Sequence, residues 1–313
     1  MYMRALALML SLLLFAPVIG AQSGEESWRA NEVDISQWDD GPVLEGSPMD
    51  FPIPGNPVVT MEVDYQPGHL QSRVQGEIVI ELFEQWAPNT TANMIMHVEL
   101  TIYDGIFFHR VIDDFVTQSG DPTCKTVGVY PITNAECGSG GDGHTLDLEH
   151  HENLSHVDGA IGMARSQDPN SADSQWYIAE TEAHNLDPEN RDDEGYATFG
   201  IVRNGMSHVR AIAEVPTTDD PSGTEIQNPA SSAGRPLYEA KIISVTMTGV
   251  VPYAEEEPVV SESGFSEAII AGGSILLLGL IVAGVLYYLK NQPDIIEVEK
   301  VEEETYDAEL LDG

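Results

Sequence analysis

Apolar and polar positions alternate along two early stretches, 58–65 and 77–83, which are rich in β-branched and aromatic residues. That period predicts two strands, and Pro67-Gly68 between them predicts a hairpin. After Pro88 the period changes. Met94, Ile95 and Val98 recur at helical spacing, so a helix is expected from Pro88 to about Leu100, capped by Asn89 or Thr90. Short strands are expected at 106–111, 116–118, 160–164, 176–179 and 197–202, a second helix at 206–214, and a last strand at 239–248. Many short strands with two helices and long glycine-rich loops argue for an all-β dominated fold, a closed antiparallel barrel with helical caps.

The ends of the chain follow a different pattern. Arg4 precedes an apolar run from 5 to 19 and a small-residue exit at Gly20-Ala21, which reads as a signal peptide over 1–21. Residues 268–289 carry no charge, and about 20 apolar residues suffice to span a bilayer, so a transmembrane helix is expected there. Lys290 follows it and Glu262 and Glu267 precede it, which puts the C-terminus in the cytoplasm and the folded part outside, in a single-pass protein of the cell membrane. The flanks are expected to be an acidic Pro-rich linker (22–56), an acidic stalk (251–267) and an acidic cytoplasmic tail (290–313). One domain-sized unit remains, 57–250.

Charge narrows the choice of partners. The 313 residues hold 52 acidic and 13 basic side chains, a net charge of −39, which excludes phosphate-backbone binding and hence a nucleic-acid partner. Such a surface suits salty water or an acidic environment at a membrane. His144, His150, His151 and His156 crowd a loop with Asp142, Asp147, Glu149 and Glu152, but their spacing matches no defined metal site. The loop reads as a solvated insertion, with no metal and no cofactor expected. Cys124 and Cys137 are the only cysteines, and an oxidising compartment would favour a disulfide between them; two buried thiols, or a redox switch beside the groove, are the alternatives.

The run Phe107-Phe108-His109-Arg110-Val111-Ile112-Asp113-Asp114-Phe115-Val116-Thr117-Gln118-Ser119-Gly120-Asp121 resembles the cyclophilin family of peptidyl-prolyl isomerases. The resemblance continues in family order through Ala87-Pro88-Asn89-Thr90 with Asn93, Tyr103-Asp104-Gly105, Met163-Ala164-Arg165-Ser166, the stretch from Asp168 to Ile178, and Gly195-Tyr196-Ala197-Thr198-Phe199-Gly200. Asp168-Pro169-Asn170-Ser171 and Tyr196 look like the bacterial-type branch. The resemblance implies an eight-stranded antiparallel closed barrel capped by two helices, with the active groove on its outer face.

Rotation about an X-Pro bond meets a barrier of ~18–20 kcal/mol, because the amide carries partial double-bond character. No bond breaks, so neither a nucleophile nor a metal is required. A catalyst must hold the proline ring, orient the flanking backbone, and favour the twisted amide over both planar forms. The twisted nitrogen regains a lone pair that can accept a hydrogen bond. By resemblance Arg110 is that donor, with Phe115 and Gln118 as its catalytic neighbours. The resemblance also assigns substrate contacts to Val116, Ala164, Arg165, Gln175, Tyr177, Leu186 and Tyr196. The expected partners are proline-containing polypeptides, exported or membrane-bound, whose folding the enzyme accelerates outside the membrane. A membrane-tethered proline-peptide scaffold or holdase with little turnover is the alternative. Asn185 stands where the resemblance implies tryptophan or another large apolar residue, so cyclosporin should bind weakly; an inhibition titration showing tight binding would contradict this.

Overall fold

The computed structural model describes residues 27–44, 46–125, 137–218 and 234–253, together with Leu286, Tyr287 and Lys290. The expected signal peptide (1–21) and acidic tail lie outside the described residues except for Lys290, and of the expected span 268–289 only Leu286 and Tyr287 fall inside them. No helix among the described residues is long and apolar enough to cross a membrane.

The two alternating stretches form β1 (Pro57–Tyr65) and β2 (Val74–Leu82), paired antiparallel from Val58–Glu81 to Tyr65–Val74. Further along lie α1 (Pro88–Glu99), β3 (Arg110–Ile112), β4 (Val116–Ser119), β5 (Ala160–Met163), β6 (Trp176–Ala179), β7 (Thr198–Asn204), α2 (Met206–Ala213), β8 (Thr217–Thr218), β9 (Arg235–Pro236) and β10 (Ala240–Val250). Eight strands make one curled sheet in the order β10-β1-β2-β7-β5-β6-β4-β3, and β8 pairs β9 in a separate ladder that sequence pattern did not anticipate. The inner face buries Met61, Ile80, Phe108, Trp176 and Phe199. Helix α1 packs on β10 and β7, and α2 on β2, β3 and β4.

The expected closed barrel is corrected to an open, curled sheet, because no ladder joins β3 to β10. The chain just ahead of β3 touches β10 instead: Gly105 N donates to Ile242 O at 2.9 Å, Ile242 N to Ile106 O at 2.9 Å, and Phe108 N to Ala240 O at 2.9 Å. By β3 itself the chain has moved off, and Val111 N donates to Gly234 O at 2.7 Å.

Two local expectations also change. The start of α1 has no side-chain cap of its own. Its free N–H groups are met by Glu149, whose Oε2 accepts from Thr90 N at 2.9 Å and Thr90 Oγ1 at 2.8 Å, and whose Oε1 accepts from Asn89 Nδ2 at 2.8 Å. The second change concerns the expected linker, whose described part is fastened to the sheet. Trp28 and Met49 are buried, Val33 N donates to Val250 O at 3.0 Å, and Val250 N donates to Asn31 O at 2.8 Å. Beneath this strap Glu81 and Arg203 form a buried ion pair at 2.6 Å. Glu81 Oε1 accepts from Ile53 N at 2.9 Å and Asn56 Nδ2 at 2.7 Å, while Arg203 donates to Asp50 O at 2.9 Å. Buried side chains and a charge pair, not regular backbone periodicity, hold the strap in place.

Candidate active site

Strand register assembles the site. Arg110 on β3 lies opposite Gln118 on β4, Gln118 opposite Tyr177 on β6, and Tyr177 opposite Gly162 on β5. Directly opposed residues share a face, so this row runs across one side of the sheet. Gly162 leaves the room the row needs: a Cβ there would come within 2.5 Å of the Tyr177 hydroxyl. Val116, opposite Ala179, extends the same face by two residues.

A relay of polar contacts fixes the row. Arg110 Nη1 donates to Gln118 Oε1 at 3.4 Å, Gln118 Nε2 donates to Gln175 Oε1 at 3.0 Å, and Gln175 Nε2 donates to Gly140 O at 2.8 Å. Asp121 anchors the far end, where its Oδ2 accepts from Gly138 N at 2.7 Å and Gly140 N at 2.9 Å. Cys137, bonded to Cys124 in a disulfide, immediately precedes this glycine loop.

Beside the row is a cavity of about 270 Å³ lined by Arg110, Phe115, Val116, Gln118, Ala164, Arg165, Tyr177, Asn185, Leu186, Arg191 and Tyr196. Its apolar wall is a cluster separate from the main core, built from Val116, Tyr177, Ala179, Ala183 and Leu186, with Phe115, Ala164 and Tyr196 packed against it. Tyr196 stands edge-on to Tyr177 at 6.1 Å, and Arg165 lies over the Tyr196 ring at 4.5 Å. Every catalytic and substrate-contact residue expected from the sequence except Gln175 lines this cavity; Gln175 lines the neighbouring cavity of about 550 Å³ with Gln118, Ala164 and Arg165.

Three comparisons bear on what this cleft belongs to. The family model for "Cyclophilin type peptidyl-prolyl cis-trans isomerase/CLD" matches residues 69–247. A peptidyl-prolyl cis-trans isomerase of Acinetobacter baylyi is 34% identical over 145 residues, covering 46% of this chain and 70% of the relative. One from Schizosaccharomyces pombe is 32% identical over 168 residues, covering 54% of this chain and 90% of the relative. The chain belongs to the cyclophilin-type peptidyl-prolyl cis-trans isomerases. A crystal structure of a cyclophilin-type isomerase from Cryptosporidium parvum overlays with a TM-score of 0.45 at 20% identity, covering 61% of this chain and 97% of that one.

In this cyclophilin the arginine is poised. Burial lowers the pKa of Arg110 from its ordinary value, against the opposing influence of Tyr196, yet a guanidinium stays charged at any physiological pH. Its only hydrogen bond among the described residues is the long one to Gln118, and no carboxylate there pairs with it. A donor so placed can give an N–H to a proline nitrogen that loses its conjugation in the adjoining cavity.

Sequence reasoning missed what lies under the cavity floor. Tyr177 OH meets His156 Nε2 at 2.7 Å, and His156 Nδ1 meets Asp187 Oδ1 at 2.6 Å. Burial alone would raise the Asp187 pKa, but hydrogen bonds from His156, Ser155 and His184 outweigh it and hold the carboxyl below the usual range. Burial also raises the Tyr177 hydroxyl well above its ordinary value, so it remains protonated. The only signal in the sequence was His156 itself, one of the four histidines of the loop. Glu180 was missed as well: its N–H donates to Phe115 O at 3.1 Å and its Oε1 accepts from Phe115 N at 3.2 Å, so it seats Phe115. Burial, then the charge of Asp113, pushes its pKa up to about 7.

The remaining candidates disperse. His144 bonds Asp142, His150 bonds Glu194 O, His151 stacks on Trp86 at 5.4 Å, and His156 is part of the cavity floor, so the histidine loop makes no common ligand set among the described residues. His109 is buried with neither ring nitrogen in hydrogen-bond geometry to the described residues, and burial lowers its pKa to about 4. The carboxylates of Asp113, Asp114 and Glu180 lie within 4.8 Å of one another, but Glu180 is already engaged with Phe115.

Proposed function

We propose that this cyclophilin isomerises X-Pro bonds in exported or membrane-bound polypeptides outside the membrane, with Arg110 as the group that steadies the twisted amide. The observation that carries the assignment is a half-buried guanidinium beside a cavity with one apolar wall, held by one 3.4 Å hydrogen bond and no carboxylate among the described residues. Phe115, Val116, Tyr177 and Leu186 receive the proline ring; Gln118 and Gln175 orient Arg110; Ala164 and Arg165 border the substrate backbone. Asp168-Pro169-Asn170-Ser171 and Tyr196 support placement in the bacterial-type branch.

The extracytoplasmic setting and the membrane anchor rest on the charge-free run 268–289, the apolar run 5–19, and a disulfide of the kind oxidising compartments maintain. Protease added to intact cells should remove the isomerase domain; full protection would refute this setting. For the chemistry, exchange rates of a proline peptide are compared for the protein and Arg110→Ala. Loss of one aimed donor should lower kcat/KM by about 10²–10³-fold. Equal rates would remove Arg110 from the mechanism.

A further inference from the structure

Along the lining of the cavity the charge balance of the chain is inverted. The protein carries 52 acidic and 13 basic side chains, yet the residues lining this cleft include Arg110, Arg165 and Arg191 and no acid. Four arginines elsewhere are matched: Arg29 with Glu84, Arg73 with Asp64 and Glu239, Arg203 with Glu81, Arg210 with Asp158. At the cleft one carboxylate is shared by two of the three guanidiniums. Asp193 lies 2.6 Å from Arg191 and 3.4 Å from Arg165, and Arg110 has no acid partner among the described residues. The surplus is built in rather than floppy. The Arg165 side chain is 1% exposed and donates to Gly195 O at 2.7 Å and Asp193 O at 2.6 Å; Arg191 lies over the Tyr196 ring at 5.1 Å, on which Arg165 also rests.

We propose that this cleft selects peptides bearing a carboxylate next to the proline. The proposal rests on the reading of the cavity as the isomerisation groove and adds to it a substrate class. Three guanidiniums line the cleft and no acid does; Asp187, behind Tyr177, is taken up by His156, Ser155 and His184, and Glu180 by Phe115, so a carboxylate entering the cleft meets cations first. An Asp or Glu side chain flanking the proline supplies the missing counter-charge. A neutral flank gains nothing, and a basic flank is repelled at contact.

The test uses the full chain and two-dimensional exchange NMR on short peptides with Glu, Gln or Lys on either side of one proline. At low ionic strength the better-placed Glu peptide should exceed its Gln counterpart in kcat/KM by about fivefold, the scale of one partly exposed ion pair, with Lys slowest. In 1 M salt, where the Debye length is about 3 Å, the ratio should fall toward one. Arg191→Gln should lower the Glu-to-Gln ratio and Asp193→Asn should raise it; a merely structural role for this pair would leave the ratio unmoved in both. Turnover with equal Glu and Gln rates would overturn the selectivity alone. No exchange on any peptide would overturn the groove assignment beneath it.

Discussion

Arg203 and Arg110 are both withdrawn from water, and their surroundings differ in almost every other respect. Arg203, under the N-terminal strap, faces Glu81 at 2.6 Å and donates to Asp50 O, while Ile53 and Asn56 donate to Glu81. Arg110, at the cleft, has one hydrogen bond of 3.4 Å. A charge paired with a buried carboxylate is committed to holding two segments together. A charge left half-answered keeps its donors for a visitor, and the fold has to bear that by surrounding it with rigid strands.

The largest expected effect breaks the first side of the contrast. Glu81→Ala strands Arg203 in a dry site, and removing one partner of a buried pair costs about 3–5 kcal/mol. The denaturant midpoint should fall accordingly, while the folded fraction should keep its isomerase rate; an unchanged midpoint would mean the strap is held by other contacts.

A second, smaller effect sharpens the cleft side through pH. Glu180 rises from an ordinary 4.5 to about 7 in the folded protein, so the fold binds its proton more tightly than the unfolded chain does. Its contribution is full below about pH 4.5 and is lost as pH climbs through 7. Glu180→Gln should therefore flatten the fall in melting temperature between pH 5 and 8. Parallel curves for the two proteins would show that Glu180 does not titrate in this window.

The smallest expected effect falls where the chemistry is most sensitive. Arg110→Ala, which should disable turnover, should alter stability by less than about 1 kcal/mol, since a single long hydrogen bond is lost and no charge is stranded. A large drop in the denaturation midpoint would make Arg110 a structural residue like Arg203.

The first two strands were legible because β1 and β2 show their faces nearly every second residue, and α1 because Met94, Ile95 and Val98 mark one side. The strap was not, because Pro42, Pro48, Pro52 and Pro54 erase periodicity while single anchors such as Trp28 and Met49 do the packing. Closure was overestimated for a related reason: pattern shows which residues want a strand, not which edges meet. At the site, the Arg110-Phe115-Gln118 group was legible through family resemblance, since these residues lie within one short stretch. The Tyr177, His156 and Asp187 contacts join residues 21 and 31 positions apart, and no local spacing announces them.

The seam between Asn31, Val33 and Val250 has a consequence for how this molecule is made. The segment around Asn31 finds its partner on β10, more than two hundred residues later. A nascent chain leaving a ribosome or a translocation pore must therefore hold Trp28 and its neighbours in waiting until β10 has emerged. Loop closure over that distance is slow, and final assembly is a late step rather than a vectorial one.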